Sequence, residues 1–180
     1  PTDAALLTPE IDAAIAQNIP VITIDSDAPD SKRLFFVGTD NYNTGLMGGK
    51  MAAKLLNGKG NVVFFTIKGQ NNLTDRLHGY ETAFADHTDM KTMQVIDMNG
   101  NSDIAFDSAK KMFESKTKVD AFICLEALSC SSVADVASRS GMAGKVTIIA
   151  MDTDPGTVDW INKGVISATI AQKPYTMAHY

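Results

Sequence analysis

Hydrophobic and polar positions follow two rhythms along the chain. Leu7, Ile11, Ala14 and Ile15 recur at helical spacing within residues 3–17, and Asn18-Ile19-Pro20 ends that run. Residues 21–24 are then continuously apolar or β-branched and stop at Asp25, which predicts a buried strand. A polar, proline-containing loop over 26–32 leads to a second short strand over 34–37. Asp40-Asn41 or Thr44 can cap a helix with Met47, Met51 and Leu55 along it, and Asn57-Gly58-Lys59-Gly60 closes it. The alternation then repeats. Strands are predicted over 62–67, 93–98, 119–125, 146–151 and 165–171. Between them lie a helix carrying Leu73, Leu77, Tyr80 and Phe84, one starting at Ser102 or Asp103 with Ala105, Ala109, Met112 and Phe113 inward, and one over 129–140. Asp154-Pro155 reads as an N-cap with proline at the first helical position, and a further helix starts at Pro174.

Apolar strands separated by single helices predict an α/β fold, a doubly wound parallel sheet covered on both faces. In such a sheet, ligands bind beyond the carboxyl ends of the strands. Here those ends deliver Asp25, Glu126, Asp152 and Gln172, and Arg76 lies in the first turns of the helix after the 62–67 strand. Ser26 and Asn99 are lesser candidates on the same rim. Each member has a plain structural reading: a strand-end Asp can cap the next helix, and Arg76 can pair with Asp75 or Glu81 on a surface. As a group they suit a polyhydroxylated ligand, because carboxylates accept from hydroxyl pairs, a guanidinium donates, and an amide does both.

Composition narrows the alternatives. Of 180 residues, 44% are hydrophobic and 21% charged, as in ordinary globular domains. The longest apolar runs are strand-length, short of the ~20 residues that span a membrane. Sixteen basic and 21 acidic residues give a net charge of −5. The basic residues form no stripe, so direct nucleic-acid contact is not expected. The histidines form no close pair, no cofactor fingerprint or phosphate loop follows a strand, and no Gly-x-Ser-x-Gly elbow occurs. An acid–base or magnesium reading of Asp25, Glu126 and Asp152 therefore has no nucleophile or cofactor motif beside it, and neither an enzyme, a cofactor nor a metal is expected. Cys124 and Cys130 read as two small buried residues, with a disulfide between them left open. The methionines Met47, Met51 and Met112 read as core, Trp160 as a packing residue, and His78 and His87 as surface. The opening on Pro1 and the stop at Tyr180 read as cuts through a longer protein.

These residues resemble type 1 periplasmic solute-binding proteins, above all the ribose-binding-protein-like sugar binders. Asn18 through Asp25 resembles the last strand of that family's first lobe. Gly38-Thr39-Asp40-Asn41 with Gly45 and Gly48-Gly49 resembles the crossing into its second lobe. Asp75-Arg76-Leu77-His78-Gly79-Tyr80 resembles its Arg-x-x-Gly-aromatic segment, and Ala150-Met151-Asp152 and Ala168 through Pro174 resemble two further ligand-binding strand ends. The resemblance implies a Rossmann-like domain of the periplasmic-binding-protein type. Residues 1–39 would end a first lobe, 40–171 would form nearly the entire second lobe, and 172–180 would return to the first. It implies non-enzymatic binding of a sugar or polyol between hinged lobes, a periplasmic location, and a membrane permease of an ABC transporter as partner. Ligand contacts would come from Asp25, Arg76, Glu126, Asp152 and Gln172, with Ser26 and Asn99 next. Two positions depart from the family pattern: Glu126-Ala127 replaces an Asn-Asp pair, and Ser26 replaces an Arg. Fewer donors and one more acceptor suit a polyol, an amino sugar or another hydroxyl-rich or cationic ligand. The same two-lobed domain also occurs in lactose-repressor-type regulators and in membrane sensors, which the resemblance leaves as alternatives.

Overall fold

A computed structural model describes residues 3–179. Their helices and strands alternate along the chain, but the seven strands divide into two sheets. After α1 (Ala4–Ala16), β1 (Thr23–Ile24) and β2 (Phe36–Val37) pair in parallel as a two-stranded sheet. The remaining strands are β3 (Lys59–Thr66), β4 (Asp89–Asp97), β5 (Ala121–Cys124), β6 (Thr147–Met151) and β7 (Ala168–Ile170). They form a five-stranded parallel sheet in the order β4-β3-β5-β6-β7, so all its carboxyl ends share one rim.

The five-stranded sheet is covered on both faces, as its apolar strands require. Side chains alternate along β3. Val62 and Phe64 pack into one core with Leu73, Tyr80 and Phe84 of α3 (Asn71–Ala85) and Ala52 of α2 (Asn41–Leu55). Val63 and Phe65 pack into the other with Ala105 and Ala109 of α4 (Ser102–Glu114) and Val133 and Ala137 of α5 (Ser129–Arg139). Trp160 of α6 (Pro155–Asn162) packs against this second core, with the Lys163 ammonium 4.7 Å from its ring centre. The chain then enters α7 (Pro174–His179).

Several expectations need correction. The 21–24 and 34–37 strands shrink to two residues each, and Ile22, Ile24, Leu34 and Phe35 are each about half exposed. Thr23 is buried and Val21, Phe36 and Val37 are partly covered, but Ile22, Ile24, Leu34 and Phe35 are left open among the described residues, so the continuous apolar pattern does not mean burial on both faces here. Strand β4 starts four residues earlier than expected, because an edge strand tolerates the polar Asp89, Lys91 and Thr92. Asn101, not Ser102 or Asp103, caps α4, accepting from the Asp103 N–H at 2.9 Å. Met47 is 56% exposed rather than core, on the outer face of α2. His87 is half-buried, while His78 is exposed. Asp40 and Asp154 do cap α2 and α6.

The glycines of α2 and α3 form a seam between the two helices. A Cβ on Gly45 would strike the Arg76 carbonyl, and one on Gly79 would strike the Tyr42 carbonyl and the Leu46 N–H. Gly49 lies against the Ala83 methyl and the Tyr80 backbone, and Gly48 makes room for the Tyr80 side chain. Backbone meets backbone here, so α3 is held at a fixed height over α2, and Arg76 with it. Gly79→Ala is expected to cost about 3 kcal/mol or more of stability, the upper end for overpacking, because its Cβ would strike backbone. Gly69→Ala has a free site with nothing within 4 Å but a left-handed φ of 86°, and is expected to cost about 1 kcal/mol. Urea denaturation of both variants checks the order; equal losses would contradict the seam.

Candidate functional site

Arg76 is 3% exposed, which removes the surface-pair reading with Asp75 or Glu81. It sits in the second turn of α3, above the carboxyl end of β3. One terminal nitrogen donates to the Leu125 carbonyl, at the end of β5, and the other donates to Asn41 Oδ1 at 2.5 Å. Asn41 is itself buried and donates onward to the Thr39 carbonyl at 3.0 Å. The Nε–H is buried and has no partner among the described residues. A guanidinium without solvent needs compensating charge. Burial lowers the Arg76 pKa, and the charges of Asp152, Asp25 and Glu126 act in the opposite direction. The three carboxylates expected from the strand ends are thus near enough for their charges to favour the charged guanidinium, though none is in direct ion-pair contact with it among the described residues.

Asp152 follows β6 directly. Its N–H donates to the Ile170 carbonyl at 2.8 Å, and its carboxylate accepts from the Gln172 N–H at 3.2 Å and from Gln172 Nε2 at 3.1 Å. Gln172 Oε1 in turn accepts from the Thr39 hydroxyl at 2.6 Å. This chain ties the segment between β2 and α2 to the segment between β7 and α7. Beside it lies a cavity of about 360 Å³, lined by Gly38, Thr39, Gln172 and Met177 among others. Asp25 stands in the same relation to its own sheet: its N–H donates to the Val37 carbonyl at 3.0 Å, and its side chain is exposed. Both aspartates adopt left-handed backbone, with φ of 68° at Asp25 and 67° at Asp152. Asp accepts that conformation more readily than most residues. The matching turns leave each strand end at the same kind of corner.

Glu126 has a different local role. Its carboxylate accepts from the Leu128 N–H at 2.5 Å, the Ser129 N–H at 3.2 Å and the Ser129 hydroxyl. It therefore caps α5, where Leu128 at the cap position provides no side-chain bond. Its charge still reaches Arg76. Asn99 is exposed in left-handed backbone after β4, its N–H donating to Asp97 Oδ1 at 3.0 Å, and nothing joins it to the Arg76 group. Ser26 follows Asp25 half-buried, its N–H donating to the Ile24 carbonyl at 2.8 Å. Cys124 and Cys130 are both buried, as expected, and they are joined as a disulfide, the option the sequence left open. Among the described residues no cluster of His, Cys, Asp or Glu is arranged to hold a metal ion, and no helix is long and apolar enough to cross a membrane.

Sequence reasoning overlooked Asn41 and the Leu125 carbonyl, the two groups that hold Arg76. Asn41 looked like part of a helix cap, and a backbone carbonyl carries no residue signal at all.

The described residues thus form a parallel α/β domain with a buried guanidinium and three carboxylates at the carboxyl ends of its strands. The chain belongs to the periplasmic binding protein domain family, whose pattern matches residues 1–180. It is 25% identical over 184 residues to the ribose import binding protein RbsB of Escherichia coli (strain K12), an alignment covering 97% of this chain and 58% of that one. A sugar-binding protein of a sugar ABC transporter from Bacillus halodurans superposes with a TM-score of 0.90 at 35% identity, over 97% of this chain and 60% of its own. GanP, a glucose-galactose binding protein from Geobacillus stearothermophilus, superposes at 0.91 and 32% identity, over 98% and 63%. The chain spans about three-fifths of the length of each of these relatives.

The loop following Asp25 is fastened by Asp27. Arg33 donates to both of its carboxylate oxygens, Thr23 Oγ1 donates at 2.6 Å and the Ala28 N–H at 2.8 Å. The Arg33 bonds foremost hold the Asp27 carboxyl below its ordinary value, against the opposing effect of burial. A depressed folded pKa contributes stability above the unfolded value near 3.8 and loses it as pH falls through the folded value. Asp27→Asn is expected to destabilise by about 1 kcal/mol at neutral pH. That difference should shrink as pH drops below ~4. Thermal melts across that range check it; a pH-independent difference would contradict it.

Proposed function

We propose that this chain is part of a non-enzymatic solute-binding protein that takes a small sugar or polyol between two hinged lobes. Residues 1–39 end one lobe, 40–171 form the other, and 172–180 return to the first. The Thr39–Gln172–Asp152 chain lies where the two connections run side by side, the natural place for a hinge. The observation that carries the reading is the buried Arg76, whose Nε–H has no partner among the described residues and whose charged form is favoured by Asp152, Asp25 and Glu126. A hydroxyl-rich ligand supplies what that group lacks: an acceptor for Nε–H and donors for the carboxylates. Asp25 and Asp152 are the primary acceptors, and Gln172 joins them once the lobes close. Glu126, occupied on α5, acts on the ligand chiefly through its charge.

Membership of a family whose relatives include ribose import and glucose-galactose binding proteins supports the sugar class. The buried Cys124–Cys130 disulfide supports an extracytoplasmic location, since such bonds persist in oxidising compartments. The partner is the membrane permease of an ABC transporter, which receives the closed form. The rim offers one guanidinium against three carboxylates, which favours neutral polyols and amino sugars over acidic sugars.

Isothermal titration of the full-length protein with pentoses, hexoses, polyols and amino sugars tests the proposal. Arg76→Ala and Asp152→Ala are each expected to weaken the best ligand about 100-fold or more, equivalent to about 2.7 kcal/mol. Undiminished affinity in both variants would contradict the site.

A further inference from the structure

The segment between β5 and α5 is a covalent ring. Cys124 is the last residue of β5, Cys130 lies in the first turn of α5, and the disulfide joins them across a separation of six with Cα atoms 5.7 Å apart. Both residues are almost completely buried. The Cys130 sulfur also lies 3.5 Å from the Ile149 carbonyl of β6, the strand that Asp152 directly follows. The ring contains two groups of the candidate site: the Leu125 carbonyl, which takes the Arg76 bond, and Glu126, which caps α5 from inside the ring.

A bridge over so short a loop stabilises the fold as a whole by about 2 kcal/mol, less than one closing a long loop. The entropy that a cross-link removes from the unfolded chain grows with the logarithm of loop length, so this ring sits near the small end. Two buried small hydrophobes would fill the same space in the core. What the bond adds beyond this is local: it fixes the height of the Leu125 carbonyl over the rim and the angle at which α5 leaves the strand. We infer that the Cys124–Cys130 disulfide is a positioning element of the binding site, which acts through the Leu125 carbonyl to hold Arg76 in its ligand-facing orientation. The inference rests on the sugar-binding reading for its effect on affinity, and on geometry alone for its effect on the loop.

The test uses the full-length protein and a panel of D-ribose, D-glucose, D-galactose, D-glucosamine and sorbitol. With the tightest binder, Cys124→Ala/Cys130→Ala is expected to lower affinity roughly tenfold, the consequence of lost preorganisation. Combined with Arg76→Lys, the losses are expected to be less than additive, because both act through one contact. Unchanged affinity, or strictly additive losses, overturns the inference. If the wild type binds none of the panel, the sugar reading fails. Amide hydrogen exchange over residues 125–129, in oxidised against phosphine-reduced wild type, then decides the positioning claim by itself. Exchange at least about tenfold faster on reduction supports it. Unchanged exchange overturns it, as does global unfolding on reduction, which would make the bond a requirement of the fold. The same exchange measurement serves if the double variant does not fold.

Discussion

A guanidinium buried where α2, α3 and β5 meet is the constraint on which the rest of the rim depends. Leaving a charge of this kind unpaired away from water costs several kcal/mol. The surroundings of Arg76 are arranged around that cost. Its two terminal nitrogens are met by Asn41 and by the Leu125 carbonyl, and its charge by Asp152, Asp25 and Glu126. These groups come from four separate stretches of chain. The parallel sheet brings the ends of β5 and β6 to one edge, the β1–β2 ribbon brings Asp25, and α2 brings Asn41.

The packing below the rim shows how that position is held. Gly45, Gly49 and Gly79 let α2 and α3 touch along their backbones, and Gly48 makes room for the Tyr80 ring, so the Asn41–Arg76 bond spans a closely packed seam. Phe64, Tyr80 and Phe84 fill the space between α3 and the sheet, and the burial of Tyr80 pushes its hydroxyl pKa upward. On the opposite side, the disulfide and the Glu126 cap hold the β5–α5 connection. The site is therefore rigid where Arg76 is anchored. It is open where Asp25 and the exposed side chains Ile22, Ile24, Leu34 and Phe35 lie.

Much of the fold was legible because strands buried on both faces read as unbroken apolar runs, as over Val62–Phe65 and Phe122–Cys124. The residues just beyond those runs then marked the rim, which is why Asp25, Glu126, Asp152 and Gln172 could be named from sequence. The illegible parts have physical reasons. Edge strand β4 mixes polar and apolar residues because one side faces solvent, so its beginning was hidden. Met47 sits at core spacing but on the outer face of its helix, a distinction that periodicity alone does not make. Asn41 combines a cap-like position with a buried role, and the carbonyl of Leu125 has no side chain to betray it. Two cysteines six apart are compatible with bonded and free states alike, and only the meeting of a strand end with a helix start brings them together. The left-handed corners at Asp25 and Asp152 suit Asp, but Asp is equally at home capping a helix, so the residue type alone did not reveal them.

The Arg76 Nε–H is the atom that separates a binding site from a structural ion cluster. In the full-length protein its ¹⁵N–¹H resonance can be followed while the tightest-binding sugar is titrated to saturation. A ligand that completes the guanidinium shifts this resonance in step with occupancy and slows its exchange with solvent. A resonance that neither moves nor gains protection at saturating sugar would mean that Arg76 serves the fold alone, and that the ligand binds elsewhere.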